Sequence, residues 1–506
     1  MSRRTRTKTI VASSCVGCVA AAVLAMAFPT AAAADPVPLS TFGSVGSGAG
    51  QLDDPTRLAI DGAGRVYVVD FSNNRISVFG ADGSFIHAFG SDVAEPDGGT
   101  AFEVCPAQGA CQAGENTSVG GGFSSPYDLA FDGAGNLYVS SIGNDRIDVF
   151  DPAGPSFTRA FGWDVAEPDG TAAFEVCPAQ GACRAGDNAG NGGALTGAAG
   201  LAHDGASSLY VADSGNHRIS VFNTAGPSFT RAFGADVAEP NGGAAFEVCP
   251  AQGACRAGDL GGGAGQLRFP DGIALDGTGS LYIADLGNQR ISVFGTAGPT
   301  FTRAFGRDVA DPDGGTAFEV CPTQGACRQG DGAGTDGALN SPLGIDFDGA
   351  GGLYVADQLN QRISVFGTGG TFTRAFGFDV AEPLGPILAY EVCPTQGACR
   401  VGDLGFAAGQ FAFPQGVAAD CRGAAWVADT GNDRVQRLGE PGTALPPCPV
   451  TAPPPPPPGP AGGSVVTAPL AVPENPKCAT LRAKLKKAKS KKRKRRIRKQ
   501  LRKLGC

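Results

Sequence analysis

Apolar and polar residues alternate in short runs along most of the chain, and Gly, Asn and Asp break the runs at regular intervals. "LYIAD" (281–285), "RISVF" (290–294) and "FTRAFG" (301–306) show the pattern. Period-two alternation of β-branched and aromatic residues predicts strands rather than helices. The pattern also recurs. "YVVDFSNNRISVF" (67–79), "YVSSIGNDRIDVF" (138–150), "YVADSGNHRISVF" (210–222), "YIADLGNQRISVF" (282–294), "YVADQLNQRISVF" (354–366) and "WVADTGNDRVQRL" (426–438) are one phrase written six times. Their arginines are Arg75, Arg146, Arg218, Arg290, Arg362 and Arg434, spaced by 71 and then 72 residues. Each unit reads as four strands, a to d, which in the fourth unit are "DGIALD" (271–276) and the three runs above.

Repeated four-stranded units describe the blades of a β-propeller or the coils of a parallel solenoid. The chain ends favour the propeller. The sixth unit stops after strand c at "RVQRL" (434–438), and its missing strand d stands at the other end as "STFGS" (40–44). Pairing the two closes a ring and hides two sheet edges. The stretch "FGSVGSGAGQLDDPTRLAIDGAGRVYVVDFSNNRISVFGADGSF" (42–85) resembles an NHL repeat, and residues 40–438 look like a six-bladed NHL propeller. The resemblance implies an all-β fold and a habit of binding partners. It implies no single activity, because NHL propellers occur in RNA-binding proteins, ligase-associated proteins, lyases and surface proteins.

Five of the six d-to-a connections carry an extra segment of about 24 residues, such as "FEVCPAQGACRAGD" (174–187 and again 246–259). The first unit, at the closure point, has only "GSVGSGAGQLDD" (43–54). The expectation is a local bridge in each insert: Cys105–Cys111, Cys177–Cys183, Cys249–Cys255, Cys321–Cys327 and Cys393–Cys399. Bridges between neighbouring inserts are the rival. Zinc would need four ligands, and no His lies in any insert. Cys421 with Cys448 would clamp the last blade, and Cys478 with Cys506 would close the tail. The insert acids Asp236, Glu239, Glu247 and Asp259 offer oxygen ligands for Ca²⁺, against a solvated turn with an Arg256–Asp259 pair. No cofactor is otherwise expected.

Charge divides the chain. The net value of −8 combines four basic residues in 1–34, a body with 20 basic residues, all Arg, and 48 acids, and a tail (477–506) holding 16 Lys and Arg and no acid. A body of that sign repels nucleic acid and anionic lipid, whereas the tail seeks polyanions. Residues 1–34 have a basic start, an apolar run and Ala32-Ala33-Ala34, the layout of a secretory signal peptide; an uncleaved anchor is the alternative, and the export route is open. Export fits an even count of 14 remaining cysteines. The domains expected are therefore 1–34 signal, 35–448 propeller, 449–476 Pro-rich linker and 477–506 basic helical hairpin closed by a disulfide.

Residues shared by all units, such as Asn73 and Arg75 and their equivalents, read as architecture, with each Arg meeting Asp70, Asp213, Asp285, Asp357 or Asp429 and the second unit departing at Ser141. Residues that break the pattern are the site candidates. Asp346 stands where other units have Ala; Tyr127, Asp271 and Gln415 follow the strand-a proline position or its equivalent, and Arg57 and Asp128 come next in the first two units. Asp346 is expected on the channel wall, and the others around the channel mouth on the insert-bearing face. The three histidines assemble no metal centre, and the zinc-binding histidines of NHL-type amidating lyases find no match. The expected function is a secreted, extracellular or cell-wall-associated monomeric binding scaffold for a protein or glycan, with its tail on an anionic envelope polymer and nucleic acid disfavoured. The alternative is a lyase or hydrolase at the channel mouth. The missing sixth insert suggests a notch near Asp53 and Arg57 for a partner.

Overall fold

A computed structural model describes residues 35–439, apart from 96–98, 100, 107–109, 168–171, 240–244, 251, 311–316, 323–326, 333, 335–336, 383–388, 395–397 and 421–423. It is a six-bladed β-propeller. The blade 4 strands are Pro270–Leu275 (a), Ser280–Asp285 (b), Arg290–Gly295 (c) and Thr300–Arg307 (d), all antiparallel to their neighbours. The ring closes as the chain ends require. Val37–Phe42 pairs antiparallel with Arg434–Gly439, with Phe42 opposite Val435 and Thr41 opposite Gln436, as the outer strand of blade 6.

The inserts go further than a four-stranded reading expects. Blades 1 to 5 are five-stranded, because "FEVC" or "YEVC" adds a strand e outside strand d; in blade 4 Ala304 faces Cys321 and Arg307 faces Phe318. Four residues containing a Glu give too short an alternation to announce a strand. That Glu has a job of its own. Glu103, Glu175, Glu247, Glu319 and Glu391 each accept the backbone N–H of Ala94, Ala166, Ala238, Ala310 or Ala381. The five local disulfides form as expected and sit buried against the blade. Each restricts the unfolded chain, which is worth about 2 kcal/mol for so short a loop. Cys421, Cys448, Cys478 and Cys506 lie outside the described residues.

Apolar clusters fill all six seams between blades; one joins Ala199, Tyr210 and Phe233 of blade 3 to Ile273, Leu281 and Phe294 of blade 4. The Phe ending "RISVF" or "RIDVF" packs on the Phe of "AFG" in the preceding blade, with ring centroids 5.2–5.5 Å apart at Phe89–Phe150, Phe161–Phe222, Phe233–Phe294 and Phe305–Phe366. A second device repeats above them. The turn residues Asn74, Asp145, His217, Gln289, Gln361 and Asp433 each accept, through the side chain, a backbone N–H from the next blade.

The repeated Arg ties each blade to its inserts. Arg290 is fully buried, pairs with Asp285 at 3.0 Å, and donates to the carbonyls of Gly263 and Gln266 before its blade and of Arg328 after strand e. Blade 2 keeps the pair by a swap. Ser141 replaces the strand-b Asp, but Asp148 replaces the strand-c Ser, and Arg146 pairs with Asp148 at 3.0 Å. "RIDVF" in place of "RISVF" is the written trace of that exchange.

Candidate functional site

The site is built from the six inner strands, which read proline (or Ala198), a variable residue, Gly, an aliphatic residue and usually Ala. The Gly is required by close approach. A Cβ on Gly344 would stand 2.6 Å from the Gln415 carbonyl oxygen, and one on Gly416 2.5 Å from that of Thr56. Only blades 1 and 2 replace this Gly, with Arg57 and Asp128. Two opposite charges therefore enter the crowded centre of the ring.

Arg57 closes the channel on the insert-bearing side. It is 3% exposed, forms an ion pair with Asp271 from blade 4 across the ring, and donates to the carbonyls of Gln415 and Thr56. Its guanidinium carbon lies 5.0 Å from the centre of the Tyr127 ring, and the Tyr127 hydroxyl donates to Asp271 Oδ2 at 2.8 Å. Burial opposes the charge on Arg57, but Asp271, Tyr127 and Asp128 outweigh it and raise its pKa. Burial, with Asp271 second, raises the Tyr127 phenol, which stays a neutral donor. Four of the six sequence candidates thus meet in one plug: Arg57, Tyr127, Asp271 and the backbone of Gln415.

Below the plug is a cavity of about 310 Å³ walled by the inner strands of all six blades, with Arg57 as its roof. Ile60, Phe131, His203, Leu275 and Ala419 line its far end and are half-buried, so access is from the face opposite the inserts. The other two candidates, Asp128 and Asp346, line the wall. Asp128 accepts the N–H groups of Leu129 and Leu201, each at 2.8 Å. Asp346 accepts those of Phe347 at 2.9 Å and Ala419 at 3.0 Å. Burial raises Asp128 to about 6 against the pull of Arg57 and its two N–H donors. Burial, helped by Asp128 and Asp348, raises Asp346 to about 7. His203 is held neutral by burial, its Nδ1 accepting from Gly205 and its Nε2 at 3.0 Å from Thr224 Oγ1.

These carboxyls imply a pH dependence of definite sign. The folded pKa of Asp346, about 7, lies above its ordinary value of 3.8, so the native protein keeps a proton that the unfolded chain releases. Stability from this group falls as pH rises from about 4 to about 7 and is flat above. Asp346→Asn is expected to flatten that slope, seen as a smaller change in urea midpoint between pH 5 and pH 8. An unchanged slope would show that Asp346 titrates normally.

The acidic inserts use their carboxylates internally where they are described. Asp236 pairs with Arg256, which also lies 4.0 Å from Glu239 and 3.9 Å from Asp259, while Glu247 holds the Ala238 N–H. Among the described residues, the carboxylates that converge in a group of three belong to Asp53, Asp54 and Asp433, at the junction without an insert. Burial, with Asp54 and Asp433 beside it, raises the Asp53 pKa. The notch expected near Asp53 and Arg57 is not one feature. Because inserts run along the outer edge of a blade, the missing one bares the rim of blade 6, whereas Arg57 sits in the channel. The plug and cavity together were not foreseen, although the loss of Gly at 57 and 128 was a usable sign.

Fold and site define a six-bladed repeat propeller with a plugged, acid-lined channel. Blades 1, 4 and 6 carry NHL repeats: the NHL repeat family model matches residues 52–79, 267–294 and 411–438. Protein lin-41 of Caenorhabditis elegans is 51% identical over 49 residues, which cover 10% of this chain and 4% of that protein. The fold is similar to an auxiliary nutrient binding protein from Bacteroides thetaiotaomicron (12% identity, 81% of this chain, 77% of that one, TM-score 0.42). It is also similar to virginiamycin B lyase from Staphylococcus aureus (11% identity, 78% and 97%, TM-score 0.36).

Proposed function

We propose that this protein is a secreted or cell-envelope-associated binding scaffold, in which the NHL propeller presents a ligand site and the basic tail (477–506) attaches to an anionic envelope polymer. The observation that carries the reading is the cavity of about 310 Å³ on the propeller axis, at the lower end of the roughly 300–1,000 Å³ usual for small-molecule sites. The five disulfides fit an oxidising compartment. The charge contrast between body and tail fits two separate partners.

A screen of glycans, peptides and polyanions against the full chain and a variant ending at residue 476 tests both halves. The expected result is a propeller ligand kept by both proteins and polyanion binding lost from the shortened one. Equal polyanion retention would remove the tail's role, and the absence of any propeller ligand would remove the scaffold. One observation favours an enzymatic second reading: Asp346, ionising near neutrality, has the pKa of a general acid or base. A lyase or hydrolase would show turnover that Asp346→Asn abolishes.

A further inference from the structure

Asp128 and Asp346 have no cation of their own. The charged groups around Asp128 are Arg57 and Asp271, and those around Asp346 are Asp128 and Asp348. On the inner strands flanking them, the remaining titratable group at the cavity is His203, held neutral. Arg57 is already matched by Asp271. Each carboxylate accepts two backbone N–H groups and has lone pairs to spare, since an ionised carboxylate offers about four acceptor sites. The cavity thus offers two unmatched anions, set among small apolar side chains such as Ala59, Ala130, Ala202, Ala274 and Ala418.

We propose that the channel binds a small protonated amine, with its ammonium between Asp128 and Asp346. This rests on the reading of the propeller as a ligand-binding scaffold and names the ligand's chemical class. An ammonium supplies the missing positive charge and up to three donors to the free carboxylate lone pairs. A metal ion suits the site less well. Hard cations take six or more oxygens, and beside the two carboxylates this wall is largely apolar. The ligand enters from the face opposite the inserts, since the Arg57–Asp271 plug closes the other.

Binding requires ionised carboxylates, so affinity rises with pH through the range in which Asp128 and Asp346 lose their protons. Calorimetry on the full chain tests this with glucosamine and ethanolamine, their neutral counterparts glucose and ethylene glycol, and CaCl₂. At pH 8 at least one amine is expected to bind roughly tenfold or more tighter than its counterpart, and to weaken roughly tenfold or more at pH 5.5. Asp128→Asn and Asp346→Asn should each cost roughly tenfold, whereas Asp151→Asn, at an exposed turn, should cost nothing. If a cavity variant fails to fold, the pH profile of the unaltered protein decides. Absence of amine binding, equal binding of the neutral counterpart, or binding of Ca²⁺ alone would overturn the proposal. If the screen still finds a glycan or peptide ligand, the scaffold stands and only the amine falls; if nothing binds, both fall.

Discussion

Asp148→Ser is expected to destabilise the propeller by about 3–5 kcal/mol, the cost of stranding one partner of a buried ion pair. Arg146 and Asp148 are both fully buried, and the remaining partners of the guanidinium are the carbonyls of Ser118, Val119, Gly122 and Arg184. Burial already raises the Asp148 pKa against the pull of Arg146, so the pair is finely balanced. Ser141→Asp alone should also destabilise, because it sets a second carboxylate beside Asp148. The double variant restores the arrangement of blade 3, where Asp213 pairs with Arg218 at 2.8 Å and Ser220 donates to Asp213. It should recover most of the loss, so that two harmful changes together are nearly neutral. A double-mutant cycle from denaturant unfolding measures this; a double variant no better than either single would refute the swap.

Replacing Val37–Phe42 by Gly-Ser-Gly-Ser-Gly-Ser, at constant length, is expected to cost on the order of 5 kcal/mol, from lost apolar burial and the entropy of the added glycines. Phe42 lies 4.6 Å from Phe79 and 6.1 Å from the buried Trp426, and it joins blade 6 to blade 1. Without this strand the ring has an open seam, and Arg434–Gly439 becomes an exposed sheet edge. Thermal unfolding followed by tryptophan emission should show an earlier, broader transition. An unchanged midpoint would mean that the ring does not depend on this strand for closure.

The fold was readable in the sequence because every local signal was written six times. The alternation of "RISVF", the buried Arg with its Asp, and the split sixth unit all agree with the architecture observed. Strand e was less legible, since four residues ending in a Cys carry almost no periodicity and are fixed by pairing with strand d. Among the site candidates, breaks in the repeat pointed to residues that do share the channel. Their contacts were not legible: Arg57 and Asp271 are 214 residues apart and meet only because blades 1 and 4 face each other across the ring. Arg57 and Asp128 stand at the same Gly position of their strands, yet one roofs the cavity and the other lines its wall, a division that no linear pattern records.

As proposed above, the ligand binds inside the channel and enters from the face opposite the inserts. Hydrogen–deuterium exchange of the full chain, with and without a propeller ligand found by the screen, tests it most directly. Protection is expected at the far ends of the inner strands and the turns that follow, around residues 59–63, 130–134, 202–206 and 346–350. Protection confined to the inserts, with these segments unchanged, would contradict it.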